Sequence, residues 1–548
     1  MAFPGRPRII KRLDHYLARR FFFWMAISQF NMDDRLTTLL SDISRVSGLS
    51  VVERARCLKR AGWLAEAEPP EQAEFAGALL KLIVPLDEPA DELLRAVLGK
   101  LAAQRKTAIS KPESELQTTL LQLYRHLGPP SRARAQILSW LALGAEAELR
   151  SLADLLVEDP PREEEDVLLA LTPLFQNPKL PVEALFPRLL DALSHPLLAA
   201  GVLDLANFVL RQKLVKQHPA AAMGAQLTEL LGQLVGTLGK LTEQSPSDDE
   251  SMAEIGRQVA QSVSLAVSLC DALALIGDQS AVGKLHQAMD LGHRRLRTEA
   301  AAALARLGKS HGKEELIRLA GEPVARLRVL AYAKELGLED KISPDFRTPQ
   351  ARAEAELTVW LAEPTQFGLP PTKCELFDQR QQFWPGFRES VECFLFRFTY
   401  ELTVDDASRT YSNIGIAGPL AHAFTADLAD LSPDDIYAAF AGWHAQHEDI
   451  REYEVARLSK SEQMEVVRLE RRLHDAGYRE IQAVQMGYFF GEKALIAQAS
   501  RESIPGIAIA DFSDISFFPI RNVRKALGPR EAYSIYKGRK LLKTFNRQ

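Results

Sequence analysis

Three places in this sequence combine residue types that could do chemistry. The first is Ile414-Gly415-Ile416-Ala417-Gly418-Pro419-Leu420, which reads as a strand running through glycines into a helix. Free backbone N–H groups at a helix start attract phosphate or carboxylate, so Gly415, Gly418 and the following His422 are ligand-binding candidates. Two features weigh against them. Pro419 removes a donor where donors are wanted, and a bare Gly-x-x-Gly falls short of a phosphate loop. The second place is a histidine group. His444 and His447 lie three apart on one helix face, a spacing that zinc can use, with Asp427, Glu448 and Asp449 near in sequence. A catalytic zinc needs a third ligand and an activated water, and the His-Glu-x-x-His order of zinc peptidases is absent. Histidines at a helix C-terminus also complement the helix dipole without binding anything. Asp427, Asp430, Asp434 and Asp435 look like paired carboxylates, but Ser432-Pro433-Asp434-Asp435 is an ordinary helix start.

The third place is basic. Lys537, Arg539, Lys540 and Lys543 belong to a tail that also holds Arg521, Arg524, Lys525, Arg530 and Arg547 against the single acid Glu531. With Tyr533, Tyr536 and Phe545 interleaved, this tail could grip a nucleic acid or another polyanion. The stretch from Glu401 to Glu454 is strongly acidic, so the tail could equally pack against its own domain. A second basic group is Arg294, Arg295 and Arg297 with Arg328. No Gly-x-Ser-x-Gly nucleophile elbow occurs anywhere. No catalytic residue and no cofactor are therefore expected.

Elements must position these groups. From Met32 to about Phe346 the chain reads as helix after helix: Leu36, Leu39, Leu40, Ile43 and Val46 mark one apolar face, and Glu71 to Pro85 another. Pro69-Pro70, Pro129-Pro130, Pro160-Pro161, Pro178 and Pro196 punctuate between helices. A polar, acidic loop at 243–251 interrupts the series. At 548 residues the chain is too long for one core. A net charge of −5 argues against general coating of nucleic acid. Cys57, Cys270, Cys374 and Cys393 lie far apart with no CxxC pair, which fits a reducing, cytoplasmic setting. No apolar run approaches the ~20 residues needed to span a bilayer. Residues 1–31 are basic, then aromatic (Phe21-Phe22-Phe23-Trp24). They read as a targeting-like or membrane-touching arm, or as sequence upstream of a true start at Met32.

Two stretches within the helical series are near-copies. Ala272-Leu273-Ala274-Leu275-Ile276-Gly277 recurs 31 residues later as Ala303-Leu304-Ala305-Arg306-Leu307-Gly308, and Ala333-Lys334-Glu335-Leu336-Gly337 is a weaker echo. Such a period, with two apolar helical runs per unit, marks a helical solenoid. With Leu296-Arg297 and Leu327-Arg328 in the second helices, these units resemble HEAT repeats, most closely the short variety also found in phycobilisome lyases. The resemblance implies a curved scaffold with a concave binding surface. It does not extend to bilin ligation, since many proteins share the repeats without it.

Beyond Thr348 the character changes. A helix at 351–360 and a turn at 364–371 lead to an aromatic-rich strand, Val391 to Leu402. A hairpin return follows at 410–416, with helices near 421–428 and 433–447. A strand is expected at 449–455, a charged helix at 461–476, strands near 481–490, 494–498 and 507–511, and a last helix from Arg530. The expected fold class is therefore multidomain: an all-α helical-repeat solenoid followed by an α+β domain. Its expected parts are an arm at 1–31, the solenoid at 32–346, a connector at 347–371 and the α+β domain at 372–548. This combination favours a non-enzymatic scaffold for a protein partner. An enzymatic or ligand- or metal-binding C-terminal domain is the alternative, and nucleic-acid binding a second one.

Overall fold

The computed structural model describes residues 32–105, 114–243, 248–404, 407–445, 450–452, 458–489, 492–520 and 526–546. It is about 62% helical, with two antiparallel sheets confined to the C-terminal part. Backbone contacts divide the chain into two compact units, Met1–Lys309 and Ser310–Gln548.

Among its described residues the first unit contains no strand. Its helices are α1 (Met32–Arg45), α2 (Val51–Arg60), α3 (Pro69–Leu79), α4 (Glu88–Arg105), α5 (Ser114–Leu127), α6 (Arg134–Ala142) and α7 (Glu146–Glu158). After these come α8 (Glu164–Phe175), α9 (Pro196–Arg211), α10 (Gly224–Glu243), α11 (Asp249–Ile276), α12 (Val282–Asp290) and α13 (Arg294–Arg306). Several helices pack on the next but one (α3 on α5, α4 on α6, α6 on α8, α9 on α11 and α11 on α13), while α10 packs on α11 and α12 on α13 as consecutive pairs. Local sequence explains the boundaries. Ser50 and Glu53 form a capping box at α2, and the Asp248 side chain caps α11 through the Ser251 N–H at 2.7 Å. The near-copies end alike. Gly277 and Gly308 take positive φ (82° and 83°), and the N–H of Asp278 and of Lys309 each reaches the carbonyl five residues back.

Polar anchors hold this packing. The Arg105 guanidinium lies 3.7 Å over the Trp140 ring and 2.8 Å from Glu148, all three buried. Asn207, on α9, donates to the Ser268 carbonyl at 3.1 Å and its Oδ1 accepts from His218 Nε2 at 3.0 Å. His218 Nδ1 accepts the Ala220 N–H, which fixes a neutral tautomer; burial holds its pKa down to about 4. The 28-residue α11 needs a correction to the membrane reading. By length and composition it could cross a bilayer, with mean hydropathy 1.8 over its best window. Gln261, Ser262, Ser264, Ser268 and Asp271 break the run without making the helix polar. Half of that window is buried inside the protein.

The second unit begins with α14 (Ser310–Leu319) and α15 (Pro323–Leu336), whose end at Gly337 repeats the same cap. Then come α16 (Pro349–Leu361) and the sheet of β1 (Lys373–Phe383), β2 (Ser390–Val404), β3 (Ala407–Ala417) and β4 (His422–Ala423). The chain continues with α17 (Pro433–His444), β5 (Ile450–Glu452), α18 (Lys460–Asp475), β6 (Arg479–Phe489), β7 (Glu492–Arg501), β8 (Ile504–Ala510), β9 (Ile515–Pro519) and α19 (Pro529–Phe545). Both sheets are antiparallel, ordered β1-β2-β3-β4 and β5-β6-β7-β8-β9.

Strand alternation stacks five layers. Phe394, Phe396 and Phe398 turn to α16, while Cys393 and Leu395 turn to α17 and α19. Ile496, Ile507 and Ile509 meet those two helices from the other sheet, whose opposite face (Leu495, Ala497, Ala508) packs on α18. The central helices touch through glycines. A Cβ on Gly442 would lie 1.9 Å from the Ser534 carbonyl oxygen, and one on Gly538 would lie 1.8 Å from that of Ala438.

The helix expected at 421–428 is absent, which is a correction with a clear cause. Buried Asn413 donates to the carbonyls of Phe424 (3.1 Å) and Ala426 (2.9 Å) and accepts the Leu428 N–H (3.1 Å). These backbone groups are thereby held in a loop rather than in helical bonds. Polar β1 and short β9, which lack strong alternation, were not expected as strands.

Candidate binding groove

The chemically suggestive groups of the sequence are engaged by their own chain. With no helix after Gly418, the glycine turn is not a helix N-terminus. Gly418 has φ 105°, a Cβ there would meet the Glu392 carbonyl oxygen at 2.2 Å, and its N–H bonds the Glu356 carboxylate. Gly415 lies in β3 opposite Ala423, where Leu357 leaves no room for a side chain. His422 stacks on Trp443 with ring centroids 3.9 Å apart and is flanked edge-on by Trp360 and Phe424. Burial holds its pKa down to about 4.

His444 Nδ1 accepts a bond from Trp384 Nε1 at 3.0 Å, and its other N–H reaches the Pro385 carbonyl. Neither nitrogen is left for a metal in this arrangement. His447 lies outside the described residues. Among those residues, no group of three or more His, Cys, Asp or Glu side chains could hold a metal ion.

The basic candidates divide. Arg539 bonds Asp435 at 2.7 Å, Lys540 pairs with Asp511, and Lys537 is buried beside the Tyr533 ring. Lys543 is exposed. Arg294 and Arg295 are exposed and Arg297 is half-buried at the start of α13, while Arg328 lies exposed over Tyr332 on α15.

Concave space occurs elsewhere, in the first unit, where three adjoining cavities run along α4, α6 and α8. The largest, about 720 Å³, is a broad open groove lined by Glu92, Arg95, Ala96, Gly99, Gln136, Glu165, Leu168, Leu169 and Thr172. Its floor is α6, in which eight of nine residues are buried and Gln136 faces the space. Its walls are α4, offering small Ala96 and Gly99, and α8, offering Leu168 at 59% exposure.

The polar end is braced by ion pairs. Arg95 lies 3.3 Å from Asp166 and 3.8 Å from Glu165, and Arg132 pairs with Glu165. Asp91 accepts bonds from the Ser131 hydroxyl and, at 2.8 Å, from the Arg132 N–H. Burial raises the Asp166 pKa against the pull of Arg95 and Arg132. Behind them Arg134 stacks 3.8 Å over Tyr124, which burial pushes up to about 12.

Sequence reasoning missed this groove. The acids at the starts of α4 and α8 read as dipole-compensating first turns. An outward Leu168 becomes visible only once α6 is seen to sit below its neighbours. No family model, no curated protein and no solved structure matches the chain.

Proposed function

We propose that this protein is a non-enzymatic interaction scaffold. Its helical part is an array of HEAT-like repeats that holds a protein partner in the groove over α4, α6 and α8, and its α+β part is a fused module. The observation that carries this reading is the groove itself: wide, open, mostly apolar and crossed by ion pairs at its polar end. Apolar concavities with a few convergent polar groups are the usual seat of recognition. Support for repeats comes from three helix ends at Gly277, Gly308 and Gly337 that share a positive-φ glycine and a bond from the next N–H to the carbonyl five residues back. Further support is the engagement of His444 and of the Gly418 N–H within the chain.

A photo-crosslinking residue in place of Leu168 tests the reading in the full chain under native lysate conditions. The scaffold account expects one recurring protein adduct from position 168 and not from the equally exposed Val467 on α18. Identical adduct patterns from both positions, or a defined turnover by the purified protein, would overturn it.

A further inference from the structure

We infer that the groove's occupant is a basic amphipathic helix of a partner protein. This deepens the scaffold reading and rests on it. Shape is the first argument. Packed helices lie about 8–10 Å apart, and α4 and α8 both pack on α6. The open cavity of about 720 Å³ over α6 gives a further helix, about 10 Å across, a place to lie along them. Exposed Ala96 lets its backbone approach α4, while Leu168 and Leu169 give it apolar partners on α8.

Charge is the second argument and decides the sign. Arg95 is the one basic side chain lining this cavity, and it is already held by Asp166 and Glu165. The exposed carboxylates are Glu92 and Glu165, the latter shared with Arg95 and Arg132, and the adjoining cavity adds Glu88 and Asp91 against Arg132. Glu163 and Glu164 are also exposed at the start of α8. Over residues 85–172 the sequence holds fifteen acids against ten lysines and arginines. Complementary potential speeds encounter and selects the partner, while the apolar floor supplies the contact area. An acidic segment would set like charges against Glu92 and Glu165. A basic helix with one leucine-rich face satisfies both ends of the groove.

The probe is a fluorescein-labelled amphipathic peptide of about 18 residues made of leucine and lysine, titrated into the full chain; a leucine–glutamate peptide of the same pattern is the comparison. The lysine peptide is expected to bind and the glutamate peptide not. Leu168→Asp separates seating from mere attraction. It adds a negative charge, so unspecific attraction would tighten binding, whereas a helix seated on Leu168 loses about tenfold or more in affinity. Glu92→Lys combined with Glu165→Lys is expected to weaken binding by a similar factor. Unchanged or tighter binding by Leu168→Asp, or equal binding of the glutamate peptide, would overturn the inference. A crosslink from position 168 to a partner lacking a basic helix, or to this same chain, would also overturn it, and the former leaves the scaffold reading standing.

Discussion

His218 is a buried imidazole whose two ring nitrogens are both used in the neutral form. Its folded pKa of about 4 lies below the ordinary 6.5, so the unfolded chain takes up the proton first as pH falls. The stability it contributes is complete above about pH 6.5 and is lost on descending towards pH 4, by about 3 kcal/mol at most. Denaturant titrations of the full chain at pH 7 and pH 4.5 should show this loss. In His218→Gln the loss between those two pH values should be smaller. His422 titrates in the same direction within the other unit. At Gly442 and Gly538 the expectation is steric. Either Gly→Ala change drives a methyl into a carbonyl oxygen and should cost several kcal/mol or abolish soluble expression. Gly256, inside α11 with nothing within 4 Å, is the control. Its change to alanine should leave Tm unchanged or raise it, by about 1 kcal/mol in stability. Residues of this kind show what sequence conveys. Ser432 was legible as an N-cap and does accept the Asp435 N–H at 3.3 Å. Asn413 was not legible, because its partners are eleven to fifteen residues away and only the tertiary fold brings them together.

Between elements, a polar tie in the second unit is made by Asp511, which follows β8. It accepts bonds from Tyr536 and Lys540 on α19 and from the Ser513 and Asp514 N–H groups. Burial works against its charge, but these donors hold its pKa well below the carboxylate range. Asp511→Asn should therefore destabilise by about 2–4 kcal/mol at neutral pH, since Lys540 would be left beside a neutral partner. Thermal melts at pH 7 measure the effect directly. The hairpin of β2 and β3 was readable from aromatic and β-branched runs, and the pairing of Tyr400 with Tyr411 follows it. β1 was not readable. An edge strand of sequence Lys-Cys-Glu-Leu-Phe-Asp-Gln-Arg-Gln-Gln-Phe buries too little to show a period of two. Helices such as α1 were legible because they bury one stripe at 3.6-residue spacing, with Leu36, Leu39 and Ile43 inside. That α6 forms the floor of a cavity depends on packing that no single segment encodes.

For the molecule as a whole, the helical part, proposed to recognise a protein, is followed in the chain by an α+β part with its own five-layer core. The composition of the sequence changes near Thr348 and, among the described residues, sheets occur only after it, whereas backbone contacts divide the chain earlier, between Lys309 and Ser310. The groove over α4, α6 and α8 is the feature on which the functional reading stands. Leu168 is exposed enough that changing it should leave the fold intact. The most direct measurement is therefore a quantitative comparison of proteins retained by the full chain and by its Leu168→Asp variant, with matched melting curves for the two. The account predicts that a protein retained in proportion to the bait by the unaltered chain is lost from the variant. Equal retention by both, at equal stability, would contradict it.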